Sequence, residues 1–237
     1  MNGPDSIAER LLAVRARITA AARRAGRSPD DVCLIGVAKT VLPVRIQEAV
    51  DAGLTEIGEN RVQEAEAKIP LVRPHGAPLT WHLVGHLQKN KARRALSLFP
   101  WIHAVDSIDL AAKLDALAGE LGVRPTVLVE VNVAAEASKS GVGPEDLGPL
   151  LEAVARLPRL RLAGLMAVPP PPDPAVGPEA SRPHFQALAR ARDTWASRGY
   201  DLPALSMGMT DDFDVAVEEG ATHVRVGRAI FGERPPL

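Results

Sequence analysis

The 237-residue sequence has a single cysteine, Cys33. One thiol excludes a disulfide scaffold and a cysteine-ligated zinc site, and it agrees with a reducing compartment. Aromatic residues make up 3% of the chain, too few for a platform that stacks single-stranded bases. An excess of one charge is missing too. The formal net charge is -1, so no overall field draws the chain to nucleic acid or to an anionic membrane. No apolar run is long enough to cross a bilayer. Residues 1–6 are polar and carry no apolar signal core, so the expected location is the cytoplasm. What remains is an ordinary globular composition, 24% charged and 46% hydrophobic, with enough apolar residues for a sizeable core.

What the chain does have is alternation. Short β-rich runs are predicted over residues 32–40, 54–60, 81–85, 102–106, 126–133, 160–168, 204–207 and 222–226. Helical patterns follow them, near residues 44–50, 61–68, 89–98, 107–121, 144–157, 182–198 and 211–219. A leading helix is expected within residues 1–28. Ser6 caps it, Glu9 completes a capping box, and Ile7, Leu11, Leu12, Val14 and Ile18 form its stripe. Residues 169–178 are rich in proline and predict an extended surface loop. Strand and helix alternate about eight times with no break in composition. The pattern calls for an α/β fold, a single (β/α)₈ TIM-like barrel over residues 1–237, with a doubly wound open sheet as the alternative.

In such barrels the working groups sit at the carboxyl ends of the strands. Lys39 ends the first apolar run, Val32-Cys33-Leu34-Ile35-Gly36-Val37-Ala38. A partly desolvated lysine there favours the free amine, which attacks carbonyls. A lysine that merely snorkels out of the barrel mouth is the plainer alternative, and both stay open on this segment alone. Ser206-Met207-Gly208-Met209-Thr210 and Arg225-Val226-Gly227-Arg228 each join a strand to a helix start. Their glycines let backbone N–H groups approach an anion. An amine facing a phosphate cup is the pairing that pyridoxal phosphate requires. Arg225 then has two readings: a donor to the pyridine nitrogen, which it would keep unprotonated, or an arginine paired with a carboxylate. His82 and His86 are four residues apart, but without a cysteine or acidic cluster they complete no metal site. Asp211 and Asp212 suit a helix cap. Glu59, Asp106 and Glu130 are too scattered for a phosphate-sugar enzyme.

These segments resemble those of the YggS/PROSC family of pyridoxal phosphate-binding proteins. The likeness is carried by residues 37–40, 58–64, 81–91, 136–141, 164–167, 205–212 and 225–232, in family order across nearly the whole chain. The resemblance implies a barrel like the N-terminal domain of alanine racemase, with pyridoxal 5′-phosphate held as a Schiff base on Lys39. It places Asn60 beside the cofactor ring, with His82 and Met166 on the pocket wall. Ser206, Gly208, Gly227 and Arg228 would hold the phosphate, and Arg225 would face the pyridine nitrogen. Two positions depart from the family pattern: Arg228 replaces a small hydroxyl residue and Ala38 a frequent serine.

The function so implied is carriage or regulation of pyridoxal phosphate, with apo-forms of pyridoxal phosphate-dependent enzymes as recipients and a monomer as the expected state. An amino-acid racemase is the alternative. Its second base is expected to be missing, because the sequence ends after the last barrel helix and its one tyrosine, Tyr200, precedes the seventh strand.

Overall fold

The computed structural model describes residues 6–134 and 140–233. Of the segment 136–141 that carries part of the resemblance, residues 136–139 lie outside the described residues. Eight parallel strands close into a barrel in chain order. They are β1 (Cys33–Val37), β2 (Glu56–Glu59), β3 (Thr80–Leu83), β4 (Trp101–Val105), β5 (Thr126–Glu130), β6 (Arg161–Met166), β7 (Ala204–Ser206) and β8 (His223–Val226). β8 pairs back onto β1 through Ile35 and Arg225, which leaves no open edge. The closed barrel, not the open sheet, is the fold.

The strands are short and apolar on both faces because one face fills the barrel and the other meets the helices. Those helices are α1 (Ile7–Arg24), α2 (Pro43–Asp51), α3 (Val62–Lys68), α4 (Ala92–Leu98), α5 (Ile108–Leu121), α6 (Leu147–Ala155), α7 (Arg182–Ala196), α8 (Phe213–Glu218) and α9 (Arg228–Phe231). α1 precedes the barrel and packs on its α2, α8 and α9 side. The Ser6 hydroxyl accepts from the Glu9 N–H at 3.2 Å, and Glu9 accepts from the Ser6 N–H at 3.2 Å. Ile7, Leu11, Val14 and Ile18 are buried, whereas Leu12 is 66% exposed. The spacings of four, three and four residues define the buried stripe, and Leu12 falls one position off it.

Two elements settle differently from their sequence pattern. The predicted helix over residues 89–98 opens with a 3₁₀ turn, Lys89–Lys91, before α4 begins. Asp212 occupies the N-cap position of α8 but makes no side-chain cap bond. Its carboxylate turns back instead, accepting from the Met209 N–H at 2.7 Å and the Ser181 hydroxyl at 2.8 Å. It therefore ties the loop after β7 to the segment before α7. None of the described helices is long and apolar enough to cross a membrane.

Candidate functional site

A cavity of about 260 Å³ opens at the carboxyl ends of the strands. Ligand pockets commonly measure about 300–1,000 Å³, so this one suits a compact molecule. Lys39, Asn60, Arg225, Gly227 and Arg228 stand on its wall, with Val37 and Val84 as apolar surface. Val168, Pro171 and Pro172 complete one side. The proline-rich loop, expected only as a surface connection, thus contributes to the cavity.

Lys39 lies two residues past β1, in a turn held from beneath by charge. Lys68, at the end of α3, donates to the Ala38 carbonyl at 2.8 Å and to Glu59 Oε1 at 2.8 Å. It also reaches Glu64 Oε2 at 3.3 Å. Glu64 in turn accepts from the Thr40 N–H at 3.0 Å. So the peptide groups on both sides of Lys39 are fastened to one buried cluster. Thr40 adopts φ 63°, a left-handed conformation that costs a β-branched residue energy and persists only where neighbours enforce it. Glu59 is fully buried. Burial pushes its carboxyl above the ordinary range, and Lys68 pulls it part of the way back. Burial also opposes ionisation of Glu64, but the Thr40 amide and Lys68 outweigh it and hold that carboxyl below the ordinary range.

Asn60 is placed by a glycine. A Cβ on Gly85 would lie 2.5 Å from the Asn60 carbonyl oxygen and 2.8 Å from its Cα. Only a glycine in the turn after β3 lets the Asn60 backbone come this close.

Across the cavity, Arg225 projects from β8 and is 4% exposed. One terminal nitrogen donates to the Ser206 hydroxyl at 2.6 Å, the other to the Ala167 carbonyl at 2.8 Å. Burial pulls the guanidinium down to about 10, while Glu130 and Asp212 hold it up. It stays charged at neutral pH. The loops after β7 and β8 flank it. Gly208 has φ 90°, and a Cβ there would lie 2.5 Å from the Ala216 Cβ. Its carbonyl accepts from the Arg225 N–H at 3.0 Å. The Gly227 N–H, on the cavity wall, donates to the Thr210 hydroxyl at 3.3 Å. Arg228 pairs with Asp211.

The residues expected at the site thus divide by depth. Lys39, Asn60, Arg225, Gly227 and Arg228 are on the wall. Gly208 stands behind it. His82, Met166 and Ser206 are not on the wall but inside the barrel, 1%, 1% and 0% exposed. Met166 packs with Ala104, Leu128, Ala163 and Ala204. His82 bonds Glu56 and His103. The Ser206 hydroxyl is taken up by Arg225 and His103, so it is not presented to a phosphate. His86 turns away from His82 and pairs with Asp106 at 3.1 Å.

Glu130, named in the sequence only as one of three scattered acids, is a carboxylate that closes the apolar strand β5. It is 6% exposed, and its Oε2 has no hydrogen-bond partner among the described residues. Burial, with Asp106 adding to it, pushes the carboxyl up to about 7, while Arg225 and His86 oppose the shift. Asp106 and Glu130 are therefore electrostatic neighbours, not scattered groups; Glu59 alone stands apart, with Lys68. Tyr200 meets Trp195 edge to face, with ring centroids 5.5 Å apart. It lines a groove with Arg124, Arg156 and Arg161, on the side where the strands begin.

The family model described as alanine racemase, N-terminal domain, matches residues 10–235. A pyridoxal phosphate homeostasis protein of Pseudomonas aeruginosa is 44% identical over 231 residues, 97% of this chain and 96% of that one. One from Aquifex aeolicus is 43% identical, covering 95% and 97%. Among solved structures, PipY of Synechococcus elongatus with PLP bound superposes with a TM-score of 0.83. It is 38% identical, covering 96% of this chain and 100% of that one. Alanine racemase from Corynebacterium glutamicum, 16% identical with a TM-score of 0.68, covers 94% of this chain and 62% of its own. It shares the fold.

Proposed function

The chain belongs to the alanine racemase N-terminal domain family and, within it, to the pyridoxal phosphate homeostasis proteins, and from that membership we propose that it is a non-catalytic carrier of pyridoxal 5′-phosphate. It binds pyridoxal phosphate and serves its homeostasis. The observation that carries the finer reading is that Lys39 and Arg225 line one compact cavity together with the Gly227–Arg228 turn. The donor set fits the cofactor: an amine for its aldehyde, a guanidinium for its ring nitrogen, and the Gly227–Arg228 turn with its arginine for its phosphate. Lys39 is the anchor, through a Schiff base. Asn60 flanks the ring. Gly208 shapes the loop, and Gly227 and Arg228 hold the phosphate.

When bound, the cofactor supplies an electrophilic aldehyde and a ring able to draw electrons from an attached amino acid. Arg225 opposes the second capacity. A guanidinium donates hydrogen bonds and accepts none, so a ring nitrogen facing it stays unprotonated and draws electrons weakly. A racemase also needs a second acid/base group on the cavity wall. Asp212 is committed to Met209 and Ser181, Asp211 is paired with Arg228, and Tyr200 lies at the opposite end of the barrel. These arrangements favour the carrier over the racemase. We place the carrier in the cytoplasm as a monomer, with apo-forms of pyridoxal phosphate-dependent enzymes as recipients.

The test is to mix the loaded protein with an apo-enzyme of this class. Activity is expected to recover with the wild type and not with Lys39→Ala protein prepared in the same way. In parallel, no sustained racemisation of common amino acids is expected. Turnover that depends on Lys39 would overturn the carrier reading.

A further inference from the structure

Arg225 is the near end of a hydrogen-bonded series that crosses the barrel interior. Its guanidinium donates to the Ser206 Oγ at 2.6 Å. Ser206 Oγ lies 2.9 Å from His103 Nδ1, His103 Nε2 lies 3.0 Å from His82 Nδ1, and His82 Nε2 lies 2.7 Å from Glu56 Oε2. Glu56 begins β2 and lines a groove with Arg15, Asp30 and Cys33 where the strands start. Ser206 ends β7. The series therefore joins the two ends of the barrel through β2, β3, β4 and β7.

Its direction follows from the donor inventory. Arg225 only donates, so Ser206 Oγ accepts there. Among the described residues, the Ser206 proton has one acceptor in reach, His103 Nδ1. A neutral His103 then carries its proton on Nε2 and gives it to His82 Nδ1. His82 carries its own proton on Nε2 and gives it to Glu56. In this arrangement each donor in the series meets an acceptor, with both imidazoles neutral. Burial holds His103 well below its ordinary value, and the Arg225 charge adds to the effect. The reverse arrangement, with a charged His82, leaves the fully buried Ser206 hydroxyl without an acceptor and adds a second buried cation, both of which are costly. The nearby His223 does not compete, since its Nδ1 meets the Thr222 hydroxyl at 2.8 Å. The Trp101 ring packs against His82 and His223, with centroids 5.5 and 5.1 Å apart, and the middle of the series is buried, His82 and His103 being 1% and 0% exposed.

We propose that Glu56, His82, His103 and Ser206 form a one-way hydrogen-bonded spine that orients the Arg225 guanidinium at the cavity. Glu56, His82 and His103 are then positioning residues for a cofactor they do not touch. Ser206 works through Arg225 on the ring, not on the phosphate. The link to the ring rests on the proposed binding of pyridoxal phosphate; the direction of the spine does not.

The experiment has two arms. Nitrogen-15 NMR of the histidine rings, on the full chain without cofactor at pH 7, reads the tautomers. His82 and His103 are both expected neutral with the proton on Nε2; a proton on His103 Nδ1, or a doubly protonated His82, overturns the spine. The second arm compares Glu56→Gln, which keeps an acceptor oxygen, with Glu56→Leu, which removes it. Glu56→Gln is expected to retain the wild-type visible band and cofactor dissociation constant. Glu56→Leu is expected to shift the band and to weaken binding roughly tenfold, as befits a buried donor left unpaired. Equal behaviour of the two variants overturns the proposal. Failure of the wild type to take up pyridoxal phosphate would defeat the functional reading, while the tautomers would still decide the spine.

Discussion

The two sides of the cavity are held by opposite means. On the Lys39 side a buried ionic cluster of Glu59, Glu64 and Lys68 grips the backbone. On the Arg225 side a hydrogen-bonded series through a hydroxyl and two neutral imidazoles grips a side chain. The difference matches what each group has to do. In the proposed role the Lys39 amine forms and releases a covalent bond, and the peptide groups on both sides of it are fixed. In the proposed role the Arg225 guanidinium works by direction, and its fork is fixed by Ser206 and the Ala167 carbonyl. Ionic clamps are strong but leave a costly charge when halved. Neutral series cost less to break but lose their direction when one acceptor goes.

Breaking the ionic side has the largest expected effect. Lys68→Met leaves Glu59 buried without its cation, and it should cost about 3–5 kcal/mol of stability. Denaturant unfolding measures the loss, and slower borohydride trapping at Lys39 would show that the turn has loosened. Retained stability with unchanged trapping would remove the clamp from the comparison. On the other side, Gly208→Ala places a Cβ at φ 90° against Ala216. It should cost about 2–4 kcal/mol from backbone strain and overlap. It should also disturb the backbone bond from Arg225 to the Gly208 carbonyl, seen as a shifted visible band.

Glu130 sharpens the comparison through pH. Its folded-state value of about 7 lies above the ordinary 4.5. Between those values the folded chain binds more protons than the unfolded one, so this group's contribution to stability falls as pH rises through that window and is constant above it. Glu130→Gln removes the slope. Relative to wild type, the variant should be more stable at pH 8 than at pH 4 by on the order of 2–3 kcal/mol. Thermal unfolding at the two values checks this, and a parallel shift would contradict it. The smallest effect belongs to Arg228→Ser, at the position that departs from the family pattern. Its surface ion pair with Asp211 predicts a stability change within about 1 kcal/mol and weaker phosphate retention, read by equilibrium dialysis.

The barrel was legible in the sequence because its strands are short apolar runs at regular spacing, each followed by a helical stripe. Lys39 and Arg225 were legible as charged residues at strand ends. Depth was not. Alternation along a strand tells which side chains enter the barrel, but the stagger between strands decides their layer. Hence His82, Met166 and Ser206 face inward, yet beneath the cavity. Lys68 and Glu64 fall in the helical pattern near residues 61–68, and nothing local shows that α3 turns them under the Lys39 turn. His103 was hidden in an apolar strand, where one polar residue reads as a packing detail.

The central claim is that Lys39 anchors pyridoxal phosphate in this cavity. The most direct measurement is borohydride reduction of the purified protein after incubation with pyridoxal phosphate, followed by mass analysis of its peptides. The account predicts a visible band that disappears on reduction and a pyridoxyl adduct on the peptide that holds Lys39, absent in Lys39→Ala. An adduct confined to another lysine, or no adduct at all, would contradict it.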